Sequence, residues 1–282
     1  MVNSLKEDAE ELAKILRSKH LDNTKNVAKR IQKKYQLING DLKVIDVNTN
    51  FSNHIANLVE LEKNEFNIII KELEKNWLKE YSSQEIKLEQ IQNIVLKIKK
   101  LDKEKYDNLE LFYEFNELTS EIMNHISYSN KQSSKSRAGS CFEHHLSFLF
   151  DILDMKYEDQ VALGTSSETF DFIFPNKELI KIAPASCMLV EAQTTINDRF
   201  RLTTGKGDAV KGAQRFLMTL SGLGIISARD VNFLTDSKLD EMRDKRVSLV
   251  VHHDVKQKLQ RPDVHSFEDF CNIIYAGKKD LW

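Results

Sequence analysis

The first 138 residues of this 282-residue chain contain one glycine, Gly40, and no proline; the other eight glycines and all three prolines (Pro175, Pro184, Pro262) come later. Inside a helix glycine is about 1 kcal/mol and proline about 3 kcal/mol less favourable than alanine. The first part of the chain is therefore at liberty to form long helices, and the second part is where turns must concentrate. Apolar spacing agrees. Leu5, Ala9, Leu12 and Leu16 recur at helical intervals, as do Val27, Ile31 and Tyr35, then Leu88, Ile91, Val95 and Ile98, then Leu111, Phe115, Leu118 and Ile122. The stretch from Asp41 to Val47 alternates only weakly and receives no assignment. The run from Leu88 to Leu101 suits a coiled coil as well as a bundle helix, because it holds too few heptads to separate the two. Lys97, Lys99, Lys100, Lys103 and Lys105 read as the solvated face of such a helix.

A polar, serine-rich run from Ser129 to Ser136 reads as a connector. The boundary falls there, with a helical domain over 1–132 and a second domain over 133–282.

The second domain mixes two periods. Ser140 to Leu153 is a predicted helix with Phe142, Leu146, Leu149, Phe150 and Leu153 on one side. Phe170-Asp171-Phe172-Ile173-Phe174 alternates with period 2, its three phenylalanines on one face, and Pro175 stops it. From Cys187 to Gln193, Met188, Val190 and Ala192 face one way and Leu189, Glu191 and Gln193 the other. A helix is expected from Asp208, carrying Val210, Ala213, Phe216, Leu217 and Leu220. Val247 to Val251 is a short apolar strand suited to burial on both faces. A last helix is expected from Ser266 to Gly277. This order predicts an α/β (α+β) domain with a mixed central sheet flanked by helices, preceded by an all-α N-terminal domain.

Composition narrows the function classes. Lys and Arg total 41 against 43 Asp and Glu, a formal net charge of −2. That excludes a histone-like coat of positive charge, while leaving room for a local phosphate-binding patch. No apolar run approaches the ~20 residues of a membrane span, and the N-terminus lacks the layout of a signal peptide. Cys141, Cys187 and Cys271 lie far apart without a CxxC pair. Neither zinc nor a disulfide framework is expected, and the simplest compartment is the reducing cytoplasm.

Period 2 gives three polar side chains a common direction. Asp171 interrupts an apolar strand on the face opposite its phenylalanines, and Glu191 and Gln193 share one face of theirs. If these strands are neighbours, Asp171 and Glu191 converge, with Glu143 from the preceding helix close by. Carboxylates that meet at a sheet end repel unless a cation lies between them, and oxygen ligands suit Mg²⁺ or Mn²⁺. Such an ion polarises a phosphodiester oxygen and acidifies a bound water, the core need of hydrolytic phosphoryl transfer.

Asp171 followed by Glu191-Ala192-Gln193 is similar to the core signature of PD-(D/E)xK nucleases. Ser136 to Leu146, Asp171 to Pro175, Glu191 to Arg201 and Asp236 to Met242 resemble, in order, blocks of the catalytic domain of EcoRII-like restriction endonucleases. The resemblance covers roughly residues 134–275 and leaves the helical half outside. It implies a Mg²⁺-dependent type II restriction endonuclease that cuts double-stranded DNA at a short palindromic site containing G·C pairs, as a homodimer or higher homo-oligomer. The helical half then adds DNA contacts, oligomerisation or both. Carried over residue by residue, Asp171 and Glu191 are metal ligands and Glu143 supports the metal or its water. Asp198 accepts from a cytosine amino group, Arg199 donates to guanine O6 and N7, and Arg201 reaches a second guanine or a phosphate. Two departures stand out. Gln193 occupies the lysine slot and brings no positive charge to the transition state. Lys206 stands thirteen residues later, where EcoRII-like enzymes carry a carboxylate, so cation and carboxylate are read as exchanged.

Other readings of the same residues stay open. Ser140-x-x-Glu143 is a capping box by spacing, and Asp198 with Arg199 is also what a solvated pair looks like. Gly205-Lys206-Gly207 lacks the GxxxxGK[ST] pattern of a nucleotide loop. His144-His145 and His252-His253 read as structural or surface residues rather than metal ligands. Two further functions fit the motifs: a structure-specific or repair nuclease of the same superfamily, and a DNA-binding or oligomerisation module whose active site has decayed.

Overall fold

The computed structural model describes residues 4–82, 88–103, 109–163, 169–196, 212–225 and 234–281. Five helices come first: α1 (Leu5–His20), α2 (Thr24–Asn39), α3 (Val44–Ser82), α4 (Glu89–Lys103) and α5 (Leu109–Ile152). The expected apolar stripes are buried or half-buried wherever their side chains are described; Leu111 lies outside those side chains. Ala9, Leu12 and Leu16 of α1, Ile91, Val95 and Ile98 of α4 and Ile122 of α5 share one core. Lys97, Lys99 and Lys100 are exposed on α4. The undecided stretch after Asp41 becomes the start of α3, a helix with one non-helical residue at Asn50.

The serine-rich run is not a connector but part of α5, which continues unbroken for 44 residues. Its polar side chains are engaged rather than solvated. Buried Asn130 accepts from the Arg17 guanidinium at 2.7 Å and donates to Glu74 at 3.1 Å, and Ser129 accepts from Arg17 at 3.2 Å. Without glycine or proline to break it, a helix passes through such a segment once its polar groups find partners.

The chain divides into two compact units, and the division is discontinuous in sequence. One unit holds residues 1–26 and 64–137; the other holds 27–63 and 138–282. A single cut near residue 132 does not describe this arrangement. The stripe Val27, Ile31 and Tyr35 and the start of α3 belong to the core of the sheet-bearing unit.

In that unit the later elements are β1 (Glu158–Ala162), β2 (Thr169–Phe174), α6 (Lys177–Ile182), β3 (Met188–Gln193), β4 (Gln214–Thr219), α7 (Asp236–Asp244), β5 (Val247–Val251), α8 (His253–Leu259), β6 (Val264–Ser266) and α9 (Phe267–Leu281). The six strands lie in the order β1-β2-β3-β4-β5-β6. The β1–β2 and β2–β3 pairs are antiparallel and the remaining three are parallel, so the sheet is mixed as expected. On one face Phe172, Phe174, Val190, Ala192, Phe216, Met218 and Val250 pack against α2, α3, α5 and α9. Phe150 of α5 is the hub of this core: the rings of Phe51, Tyr157, Phe172, Phe174 and Phe270 lie 5.2 to 6.3 Å from its own. On the other face Leu217, Leu249 and Val251 meet α7 and α8, and Ile173 and Leu189 meet α6.

Three expectations change. The segment Gln214–Thr219, expected inside a helix, is the strand β4. It lies between two parallel neighbours with Phe216, Leu217 and Met218 all buried, and a strand covered on both faces carries no alternation. Phe170 leaves its two partners and packs with Val161 and Ile173. Helix α9 does not end at Gly277 but runs to Leu281. Its start is as read, because Ser266 and Asp269 bond to each other's backbone amides.

Candidate active site

Strands β2 and β3 are neighbours, and their pairing opens where the two acidic residues stand. The last paired residues are Phe172 and Val190. One step further along the same register come Asp171 and Glu191, on one face of the sheet because opposed residues of antiparallel strands point the same way. The carboxylate of Asp171 accepts a hydrogen bond at 2.7 Å from the backbone amide of Ala192, between Glu191 and Gln193. Glu191 is buried at 4% exposure, facing Leu217 across the parallel β3–β4 pair. Gln193 ends the strand opposite Thr219, half-buried.

Helix α5 supplies Glu143. The expected capping box is not formed, since Ser140 and Glu143 lie within the helix rather than at its start. The Glu143 carboxylate accepts instead from the side-chain amide of Gln160 at 2.7 Å, and that same amide donates to Asp171 at 3.3 Å. Gln160 lies on β1 between register pairs Asp159–Phe172 and Val161–Phe170, hence across from Asp171. Its backbone is left-handed, with φ 50°, a conformation that a non-glycine residue adopts at a cost of order 1–3 kcal/mol, and that clusters at functional sites. Gln160 is a site residue with no signal of its own in the sequence. No spacing marks it, and only the register of β1 on β2 brings it to the carboxylates.

The electrostatics follow. The Glu143 carboxyl is pushed up to about 7, first by burial and then by the negative charge of Asp171, with the Gln160 hydrogen bond acting in the opposite direction and Asp159 adding to the rise. The donors that Asp171, Glu191 and Glu143 offer are hard oxygens, a set that fits a divalent cation of the Mg²⁺ or Mn²⁺ class. Gln160 bridges two of them. Among the described residues, the one group of three side chains with ligand atoms all within 4.8 Å of one another lies elsewhere, at His252, His253 and Asp254.

Asp198, Arg199, Arg201 and Lys206 lie outside the described residues. His145 is fully buried on α5, with Nε2 3.7 Å from Glu62 and Nδ1 3.3 Å from the Gln32 amide, in keeping with a structural role.

The sequence model of the family described as EcoRII C terminal matches residues 104–271, more than half of the chain. The chain belongs to this family. Asp171, Glu191 and Glu143 all fall inside the matched span of this EcoRII C terminal protein. Two solved structures of metal-depleted Ecl18kI are similar to it. The one in complex with uncleaved, modified DNA has a TM-score of 0.75 at 17% identity, covering 96% of this chain and 84% of that one. The one with uncleaved DNA has a TM-score of 0.74 at 18% identity, over 98% and 86%. A complex of the restriction endonuclease PspGI with substrate DNA matches with a TM-score of 0.56 at 14% identity, over 92% and 94%. Such distant identity establishes a shared fold: a restriction-endonuclease mixed sheet with helices on both faces and a helical N-terminal region. No curated protein matches the sequence. Among the described residues, no helix is long and apolar enough to cross a membrane.

Proposed function

We propose that this protein is a Mg²⁺-dependent type II restriction endonuclease that hydrolyses duplex DNA at a short palindromic site containing G·C pairs. The observation that carries the reading is the bond from the Ala192 amide to Asp171, which fixes a carboxylate where β2 and β3 part, in register with buried Glu191. The DNA bound in the Ecl18kI and PspGI structures supports nucleic acid as the partner.

In this reading Asp171 and Glu191 hold the ion, and Glu143 completes its surroundings. A divalent ion held there polarises a phosphodiester oxygen and lowers the pKa of a water. The protein's own groups do the rest. Asp171 is aimed by the Ala192 amide, and Gln160 orients Glu143. Gln193 orients the attacking water through its amide, and Lys206 supplies the positive charge that Gln193 cannot. Water attacks in line and the 3′ oxygen leaves, giving a 5′-phosphate and a 3′-hydroxyl. Asp198 and Arg199 read a C·G pair, and Arg201 contacts a guanine or a phosphate. A palindromic site calls for a twofold partner, hence a homodimer. The helical N-terminal half adds DNA contacts, oligomerisation or both.

Gln193 in the lysine slot favours one competing reading, a DNA-binding module without catalysis. Digestion of a mapped plasmid with Mg²⁺ separates the two: discrete fragments that vanish with Asp171→Ala support the enzyme, and intact plasmid under binding conditions supports the module.

A further inference from the structure

The end of β5 carries a group that the reading above does not use. His252, His253 and Asp254 each present one ligand atom, all within 4.8 Å of one another. His252 is buried at 4% exposure, its ring stacked on that of His253 with centroids 4.3 Å apart. His253 Nε2 is 3.1 Å from one Asp254 carboxylate oxygen, and His252 Nδ1 is 3.7 Å from the other. One carboxylate thus already faces both imidazoles. Two imidazoles and a carboxylate are the donor set of a borderline divalent ion, and three protein ligands leave a position for water.

The surroundings favour a cation. Asp254 faces both imidazoles, and Glu268 accepts from the Ser52 hydroxyl that in turn accepts from the His253 amide at 3.2 Å. Glu268 is held in place, accepting from the Ser52 amide and hydroxyl, each at 2.7 Å. His253 also lines an open cavity of about 550 Å³ with Lys256, Arg261 and Ser266. The two cations in that wall are already matched, Lys256 by Asp269, and Arg261 by Asp240 and Asp263. The cavity gives water access to the exposed side of the histidine pair.

We propose that His252, His253 and Asp254 form a second cation site, for one ion of the Zn²⁺ class, at the junction of β5 and α8. His252 Nδ1 accepts from the Asp254 amide at 3.2 Å, and an ion that takes the same nitrogen displaces that bond. The site is separate from the oxygen cluster at Asp171, both in sequence and in ligand type.

Titration of Zn²⁺ into untagged full-length protein by calorimetry, with Co²⁺ absorption as the spectroscopic counterpart, tests this. Wild type and Asp171→Asn are expected to bind one Zn²⁺ with equal affinity and to show the intense visible bands of low-coordinate Co²⁺. His253→Ala and Asp254→Asn are expected to bind at least ~10-fold more weakly and to lose the bands, with metal-free melting temperatures confirming that they fold. Absence of Zn²⁺ binding by wild type overturns the proposal. So does wild-type affinity in His253→Ala. Loss of binding in Asp171→Asn with retention in His253→Ala also overturns it, by assigning the ion to the carboxylates, and leaves the endonuclease reading intact.

Discussion

Asp171 on β2 accepts a hydrogen bond at 2.7 Å from the backbone amide of Ala192 on β3. That bond aims one carboxylate at the strand position next to Glu191, and it uses a backbone donor that no side-chain substitution on β3 removes. Asp171→Asn preserves shape but not charge. We expect it to lower Mg²⁺-dependent cleavage by at least ~10³-fold, about 4 kcal/mol of barrier, with DNA affinity in Ca²⁺ changed by less than ~10-fold. Single-turnover cleavage and gel-shift titration measure the two. A parallel loss of both would point to a folding defect instead.

Gln160 is expected to show opposite effects on stability and activity. Its left-handed backbone suits glycine, so Gln160→Gly should raise stability by about 1 kcal/mol in urea denaturation. The same change removes the amide that holds Glu143 beside Asp171, and cleavage should fall ~10- to 100-fold, the usual cost of losing a group that orients a ligand. Gln160→Ala removes the amide without relieving the backbone and should lose activity with no gain in stability.

The visibility of these features in the sequence depended on what kind of pattern each needed. Asp171 and Glu191 were legible because each interrupts an apolar strand, and period 2 assigns the face without knowledge of the neighbours. β4 was not, because Phe216, Leu217 and Met218 are all buried and a short run buried on both sides has no period to read. Gln160 was invisible for another reason: its role exists only through the register of β1 on β2. The helix through Ser129 and Asn130 has the composition of a connector, because its polar residues are satisfied by Arg17 and Glu74, more than 50 residues away in sequence.

Phe150 joins α5, which carries Glu143, to β2, which carries Asp171, and to α9. Phe150→Ala should destabilise the protein by about 3–5 kcal/mol, measured by chemical denaturation. Phe150→Leu, closer in volume, should cost less. Equal effects of the two would mean that the ring contacts add little beyond volume.

On the proposed reading, Lys206 supplies the positive charge that Gln193 lacks. Lys206→Ala should slow single-turnover cleavage ~10²- to 10³-fold, the scale of one lost transition-state donor, and Gln193→Lys in that background should restore part of it. Cleavage by Lys206→Ala at the wild-type rate would show that the exchange of positions is wrong.

The most direct measurement is digestion of a mapped plasmid by wild type and by Asp171→Ala, with and without Mg²⁺, followed by sequencing of the fragment ends. Discrete fragments with 5′-phosphate ends at one short palindrome, formed only with Mg²⁺ and only by the protein that keeps Asp171, are the predicted result. Plasmid left intact by wild type under conditions where it binds DNA, or identical fragments from Asp171→Ala, would contradict it.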